Sequence, residues 1–243
     1  MEDRGMGKKL NLGGERLHCC EKAQRAAAQP PAKRAGSIDL AGVRRLMDGI
    51  DGPRTLEIMR EFAVLVLLTE LSGELCFVFE KRAAGIRQPG DICFPGGKVE
   101  PGESLAECAL RETEEEIGIR PSDIEVLGEF AVQYELTSIA MHSIVGFVDS
   151  GTLLSIKLNE DEVAEAFTVP VRFFAETEPY LYDYDIVQEV GDFPYEEFGI
   201  NSDYRWRRGH KTIALYRYGD RVIWGLTAAI VRRFVADLQP PRT

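Results

Sequence analysis

The stretch from Gly97 to Ile119 reads GKVEPGESLAECALRETEEEIGI. It sets Gly97, Glu103, Arg111, Glu112, Glu115, Glu116 and Gly118 in the spacing G-x5-E-x7-R-E-U-x-E-E-x-G-U, with U an aliphatic or similar residue. On a helix of ~3.6 residues per turn, Glu112, Glu115 and Glu116 stand at i, i+3 and i+4 and share one face. Three carboxylates there repel one another unless a cation lies between them. Hard divalent cations with oxygen ligands, Mg2+ above all, are held by one or two carboxylates together with substrate phosphates. A solvated acidic face would account for the glutamate run, but not for the residues around it. Gly97 permits a loop geometry that other residues resist, so backbone can approach phosphate oxygens. Arg111 precedes the carboxylates and can hold one in its rotamer through a fork-shaped contact. The segment reads as a metal-phosphate platform.

The elements that must position this platform follow from hydrophobic periodicity. Phe62–Glu70 and Leu75–Lys81 read as two strands split by a hairpin turn at Ser72-Gly73-Glu74. Gly96-Gly97 ends a loop. The acidic helix is expected over about Ser104–Glu116, stopped by Gly118 and Pro121, with Leu105, Ala109 and Leu110 toward a core and the glutamates outward. Further strands are expected at Glu125–Gln133 and Ala140–Val148, and at Lys211–Tyr218 and Arg221–Trp224 around a Gly219-Asp220 turn. A closing helix at about Thr227–Leu238 carries a stripe of Ile230, Val231, Phe234, Val235 and Leu238. Upstream, Leu40, Val43, Leu46, Met47 and Ile50 recur at helical spacing behind Asp39 as N-cap. Residues 1–35, rich in Gly, Ala, Gln, Pro and basic side chains, read as a flexible basic tail, and 36–243 as a single domain. Strands interleaved with helices imply one sheet covered on two faces.

Composition excludes several functions. The net charge is -11, and Met1–Ala35 holds eight Lys/Arg against four Asp/Glu, so the rest of the chain carries -15. Such a body argues against nucleic acid or an anionic membrane as partner. No apolar run approaches the ~18 residues of a membrane span. The five cysteines, Cys19, Cys20, Cys76, Cys93 and Cys108, are odd in number and lack C-x-x-C spacing, as suits reduced thiols. With no apolar h-region near Met1, a cytoplasmic location is expected. A homodimer is allowed by this reading without being required by it.

The Gly97–Ile119 pattern is the Nudix box, and the chain resembles the Nudix hydrolases. Thr113 stands where an aliphatic residue is commoner. The resemblance implies an α/β/α sandwich with a mixed sheet, and Mg2+ or Mn2+ held by Glu112, Glu115 and Glu116. It casts Glu103 as support for the loop-to-helix turn or the metal shell, and Arg111 as a residue that orients the glutamates. For the general base it leaves Glu115 or a glutamate from another loop. Within Leu158–Pro170, Glu162 is the first such candidate and Glu165 the second, against a surface-helix reading of both. The preceding KRAAGIRQPGDICFPGG (Lys81–Gly97) is similar to the motif of the coenzyme A diphosphatases of that superfamily, with Arg82, Ala83, Arg87, Gly90 and Phe94-Pro95-Gly96-Gly97 matching. One residue fewer separates Arg87 from Gly90 than in the commonest form. Two arginines beside a phosphate platform suit a substrate with an extra phosphate, such as the 3′-phosphate of coenzyme A. The segment Tyr204–Val231 also resembles the end of those enzymes. There Tyr204, Trp206 and Trp224 are available to stack on adenine, the commoner role of such residues being core, and His210 reads as structural. The function implied is hydrolysis of coenzyme A or its derivatives to 3′,5′-ADP and 4′-phosphopantetheine or its acyl form. The alternatives are a diphosphatase for ADP-ribose, NADH or another nucleoside diphosphate derivative, and a non-catalytic nucleotide-sensing domain.

Overall fold

The computed structural model describes residues 60–135 and 138–238, together with Arg44, Met47 and Asp48. The chain divides into two compact units, Met1–Thr55 and Leu56–Thr243. The basic tail of residues 1–35, with Cys19 and Cys20, lies outside the described residues, as does most of the helix expected over Leu40–Ile50.

The second unit is built on the run REFAVLVLLTEL. It forms β1 (Arg60–Leu71), whose residues Ala63–Thr69 are all buried. A strand buried on both faces reads as a continuous apolar run, and the two faces separate cleanly by parity. Ala63, Leu65 and Leu67 join Cys108, Ala109 and Ile117 of the acidic helix, α1 (Leu105–Ile117). Val64, Val66 and Leu68 join Ala228, Ile230, Val231 and Val235 of the closing helix. Each fully buried aliphatic side chain contributes ~1.5–3 kcal/mol, so helices dock on both sides and the sandwich expected from the sequence is the observed fold.

A two-residue turn leads from β1 to β2 (Glu74–Arg82), with Leu71 opposite Glu74. Beyond it lie β3 (Ile92–Cys93), β4 (Gly96–Lys98), α1, a 3-10 turn at Pro121–Asp123, β5 (Ile124–Glu135) and β6 (Ile139–Val148). They are followed by α2 (Ser150–Leu153), β7 (Val163–Pro170), α3 (Val171–Glu176) and β8 (Tyr180–Ile186). The described chain closes with β9 (Gly209–Tyr218), β10 (Arg221–Trp224) and α4 (Gly225–Leu238). The main sheet runs β3-β2-β1-β6-β5, with β4 also on β1 and β7 also on β2, and a smaller sheet runs β10-β9-β8. Only β1 and β6 pair in parallel among the described residues, so the main sheet is mixed.

Three expectations are corrected. Val163–Pro170 is a strand paired along β2, not part of a surface helix. Leu238 is exposed, so the stripe of α4 ends at Val235, with Phe234 packed edge-on against Phe77 and Phe130. In α1 the glutamates do not all face outward, because Glu116 is 4% exposed.

Ser72 and Gly73 both adopt positive φ, 53° and 79°, as a type I′ hairpin turn requires. Serine is strained there, whereas asparagine tolerates the left-handed region. Ser72→Asn is therefore expected to stabilise the fold by roughly 0.5–1 kcal/mol. Urea unfolding reads this as a higher midpoint at unchanged slope, and a lower midpoint would contradict the turn geometry.

Candidate active site

β4 is short but consequential. It lays Gly96 and Gly97 against Val64 and Ala63 of β1, where a Cβ on Gly96 would strike the Ala63 carbonyl and one on Gly97 would strike the Glu112 carboxylate. Backbone atoms leave room only for glycine at Gly96, and at Gly97 a side chain would displace the Glu112 carboxylate. The chain then turns into α1 through a capping box: Ser104 Oγ accepts from the Glu107 amide (3.2 Å) and Glu107 accepts from the Ser104 amide (2.8 Å). The helix ends at Gly118, whose φ of 74° lets its N–H reach the Glu114 carbonyl at 3.0 Å.

Buried Cys108, Ala109, Thr113 and Ile117 hold α1 on the sheet. Thr113 resolves the one irregular position of the sequence pattern. Its side chain is fully buried and its hydroxyl donates to the Ala109 carbonyl at 2.6 Å, so the residue is satisfied within the helix and its methyl packs like an aliphatic group.

The three glutamates form a gradient from core to solvent. Glu116 is buried and accepts the Gly96 N–H at 2.8 Å, while the Glu112 and Glu115 side chains are 17% and 55% exposed. Arg111 stands among them. Its Nε and Nη2 donate to the two oxygens of Glu103 (2.8 and 3.2 Å), and its Nη1 to Glu112 (2.9 Å) and Glu115 (3.1 Å). This is the fork-shaped contact expected from the sequence, with Glu103 as its main partner. That guanidinium, helped by the Glu100 amide, holds the Glu103 carboxyl down at about 2. Glu103 thus ties the loop to the helix.

Sequence reasoning missed Glu80. It lies on β2, 1% exposed, and presses against Glu116. Its Oε1 accepts the Cys93 thiol at 3.3 Å, and its Oε2 has no hydrogen-bond partner. Burial pushes both carboxyls up, with each adding charge or contact to the other's surroundings, and burial also raises Glu112. The Cys93 thiol is pushed up by burial and by the Glu80 charge, so it stays a proton donor. The available signal was a single carboxylate inside the otherwise apolar run LCFVFE.

The remaining expected residues divide into two groups. Arg82, at the end of β2, sends its Nε to the Arg87 carbonyl at 3.0 Å, and its charge acts on Glu80, Glu116 and Cys93. Glu162 lies in a segment clamped to both sides of the cluster. The Asn159 amide donates to the Glu116 carbonyl (2.9 Å), the Glu162 amide to Asn159 (2.9 Å), and the Ala83 amide to the Glu162 carbonyl (2.8 Å). The Glu162 charge accordingly reaches Glu80 and Glu112. Glu165 is on the other face of the sheet, level with Phe167, and is ion-paired with Arg221. Trp206 donates to the Tyr195 hydroxyl at 2.6 Å and contacts Phe193 and Tyr204, an aromatic cluster of its own. His210 pairs with Asp183 and Asp185.

Among the described residues no three acidic, His or Cys side chains close around one point as a finished metal cage; the positive charge inside the cluster is Arg111. The donor chemistry nevertheless fits a hard divalent cation. The groups are carboxylate oxygens, a backbone cradle at Gly97 that a Cβ would fill, and an orphaned buried oxygen on Glu80.

A family model described as the NUDIX domain matches residues 59–188. The chain is 38% identical over 136 residues to mouse peroxisomal coenzyme A diphosphatase NUDT7, a match covering 55% of this chain and 56% of that protein. It is 28% identical over 184 residues to human mitochondrial coenzyme A diphosphatase NUDT8, covering 74% and 70%. It is 34% identical over 181 residues to the uncharacterized Nudix hydrolase NudL of Yersinia pestis (strain Pestoides F), covering 74% and 80%. The match thus spans little more than half the length of the mouse relative.

The raised carboxyls make stability depend on pH. In their folded state Glu80, Glu112 and Glu116 hold protons more tightly than the ordinary carboxyl value of 4.5. Their contribution is fully present below that value and is lost as pH rises through the raised ones. Glu103 has the opposite sign, present above 4.5 and lost only as pH falls through about 2. In chelator, Tm is therefore expected to fall by at least about 4 °C between about pH 5 and about pH 9. Calorimetry checks this, with Glu116→Gln flattening the slope; equal slopes in both proteins would refute the assignment.

Proposed function

The chain belongs to the NUDIX domain family, and from that premise we propose that it hydrolyses the diphosphate linkage of coenzyme A or its derivatives, releasing 3′,5′-ADP and 4′-phosphopantetheine or its acyl form. The observation that carries this reading is the position of Arg82. Its charge acts on Glu80 and Glu116, and it is tied to the Arg87 backbone. An arginine-bearing loop at the edge of a carboxylate platform suits a ligand with a diphosphate and a separate phosphate monoester. The names of the mouse and human relatives agree with it.

Glu112, Glu115 and Glu116 would hold Mg2+ or Mn2+, which when bound neutralises a diphosphate and lowers the pKa of an attacking water. The chain's own residues supply position. Gly97 keeps the space beside Glu112 open. Arg111 fixes Glu112 and Glu115 in place, and Gly96 fixes Glu116. Two carboxylates are candidates to take the proton of the water attacking phosphorus. One is Glu115, the most exposed of these three glutamates; the other is Glu162, on the clamped loop beside them. Catalysis is then mainly orientation and electrostatic stabilisation of charge developing on the phosphoryl oxygens.

Substitution of Glu115 or Glu116 by Gln is expected to lower kcat roughly hundredfold or more with the fold retained, the scale of losing one electrostatic stabiliser. Steady-state kinetics with circular dichroism checks this, and wild-type turnover in both variants would sink the platform.

Substrate choice is tested by Mg2+-dependent hydrolysis of coenzyme A beside ADP-ribose and NADH, with products separated by chromatography. Release of 3′,5′-ADP from coenzyme A in preference to cleavage of the others is expected. Replacing Arg82 and Arg87 together by Ala should lower kcat/KM for coenzyme A by on the order of tenfold to hundredfold while sparing dephospho-coenzyme A. Equal loss on both would remove the 3′-phosphate from the arginines' role, and faster cleavage of ADP-ribose would replace the substrate.

A further inference from the structure

Glu80 is a buried carboxylate with an unsatisfied oxygen. A carboxylate taken out of water loses much of its solvation unless it is paired and fully hydrogen-bonded, and Glu80 forms no ion pair with Arg82 and is not fully hydrogen-bonded. It is 1% exposed, one oxygen has only a thiol donor, and the other has none. Its neighbour across the gap is a second buried carboxylate, Glu116. The nearest guanidinium, that of Arg82, spends its Nε on the Arg87 carbonyl.

Packing does not call for an acid here. Residues two apart on a strand share a face, so Glu80 lies on the side of Val78, which packs under α1 with Ala109 and Ile117. A leucine would fill that site at lower cost. Parity instead puts Glu80 on the face toward α1, beside Glu116, one of the three helix glutamates that the proposed function makes cation ligands. The Gly96 amide fixes Glu116 from one side, and the Cys93 thiol fixes Glu80 from the other.

We propose that Glu80 is a further ligand for the divalent cation, reaching it from the sheet through Oε2 opposite Glu116 on the helix. This rests on the carboxylate-platform reading given above. It adds a buried oxygen donor to the exposed ones on α1, so the cation is gripped between two secondary-structure elements. Hard cations with oxygen-only ligands favour such an anionic position. The protonated thiol of Cys93 orients the carboxylate as an outer partner does in other metal sites.

The test is Mn2+ binding by the full chain, read as loss of the free-ion electron paramagnetic resonance signal and paired with thermal unfolding in chelator. Glu80→Leu and Glu80→Gln are both made, since Gln keeps a carbonyl oxygen and the side-chain shape. Dissociation constants are expected to rise about tenfold or more in each. Tm in chelator should stay level or rise, because an unpaired buried charge is gone. Should Leu impair folding, Gln carries the comparison alone. Wild-type Mn2+ affinity in Glu80→Gln and in any folded Glu80→Leu, with weakened binding in Glu116→Gln, overturns the role of Glu80 and leaves the platform standing. Absence of Mn2+ binding by the wild type, or undiminished binding in Glu116→Gln, overturns the platform and Glu80 with it.

Discussion

The approach of the Gly96-Gly97 backbone to the carboxylates of α1 is the contact on which the site depends. On one side Gly96 lies against the Ala63 carbonyl of the central strand, and on the other its N–H holds Glu116 at 2.8 Å. One residue later, the missing side chain of Gly97 leaves the Glu112 carboxylate its space. Through these two glycines β1, buried on both faces, is tied to the carboxylates of the helix. A side chain at Gly96 would collide with the β1 backbone at Ala63 and Val64, and one at Gly97 would displace the Glu112 carboxylate from its place. The buried central strand thereby sets the geometry of the carboxylate cluster.

Charge is the second constraint. Glu112, Glu115 and Glu116 stand in the last two turns of α1, with no basic residue in the final turn. The helix dipole there disfavours negative charge, and the body of the protein is already acidic. Arg111 offsets part of this by touching Glu103, Glu112 and Glu115 at once. It does not reach Glu80 or Glu116, whose carboxyls are pushed up by burial, Glu116 also by the charge of Glu80. The arginine thus holds the exposed half of the cluster together, while the buried half has the Gly96 N–H, the Cys93 thiol and the more distant charge of Arg82.

The platform was legible because its signals are local. The i, i+3, i+4 spacing and the terminating glycine belong to one helix, which the structure places over Leu105–Ile117. The β1–β2 hairpin was legible for the same reason. Glu80 was not, because its meaning depends on which residue the helix brings opposite it, a contact across 36 positions of sequence. Nor was the burial of Glu116, since an acid in an acidic run gives no hint that it alone turns inward. β7 was hidden by charges whose spacing mimics a surface helix. Its pairing with β2 is non-local, and tertiary context overrode the pattern.

That strand assignment also separates the two outside glutamates. Side chains alternate along a strand, so Glu165, opposite Lys81, falls on the face of Phe167 and is taken up by Arg221. Glu162 precedes the strand and escapes its alternation. Its loop is fixed instead by hydrogen bonds to the last turn of α1 and to the residue following β2, the two elements that carry Glu116 and Glu80. A helix over the same residues would have kept both glutamates on neighbouring positions and left no reason to prefer either. The register of one antiparallel pair is therefore what leaves Glu162, and not Glu165, beside the carboxylates of α1.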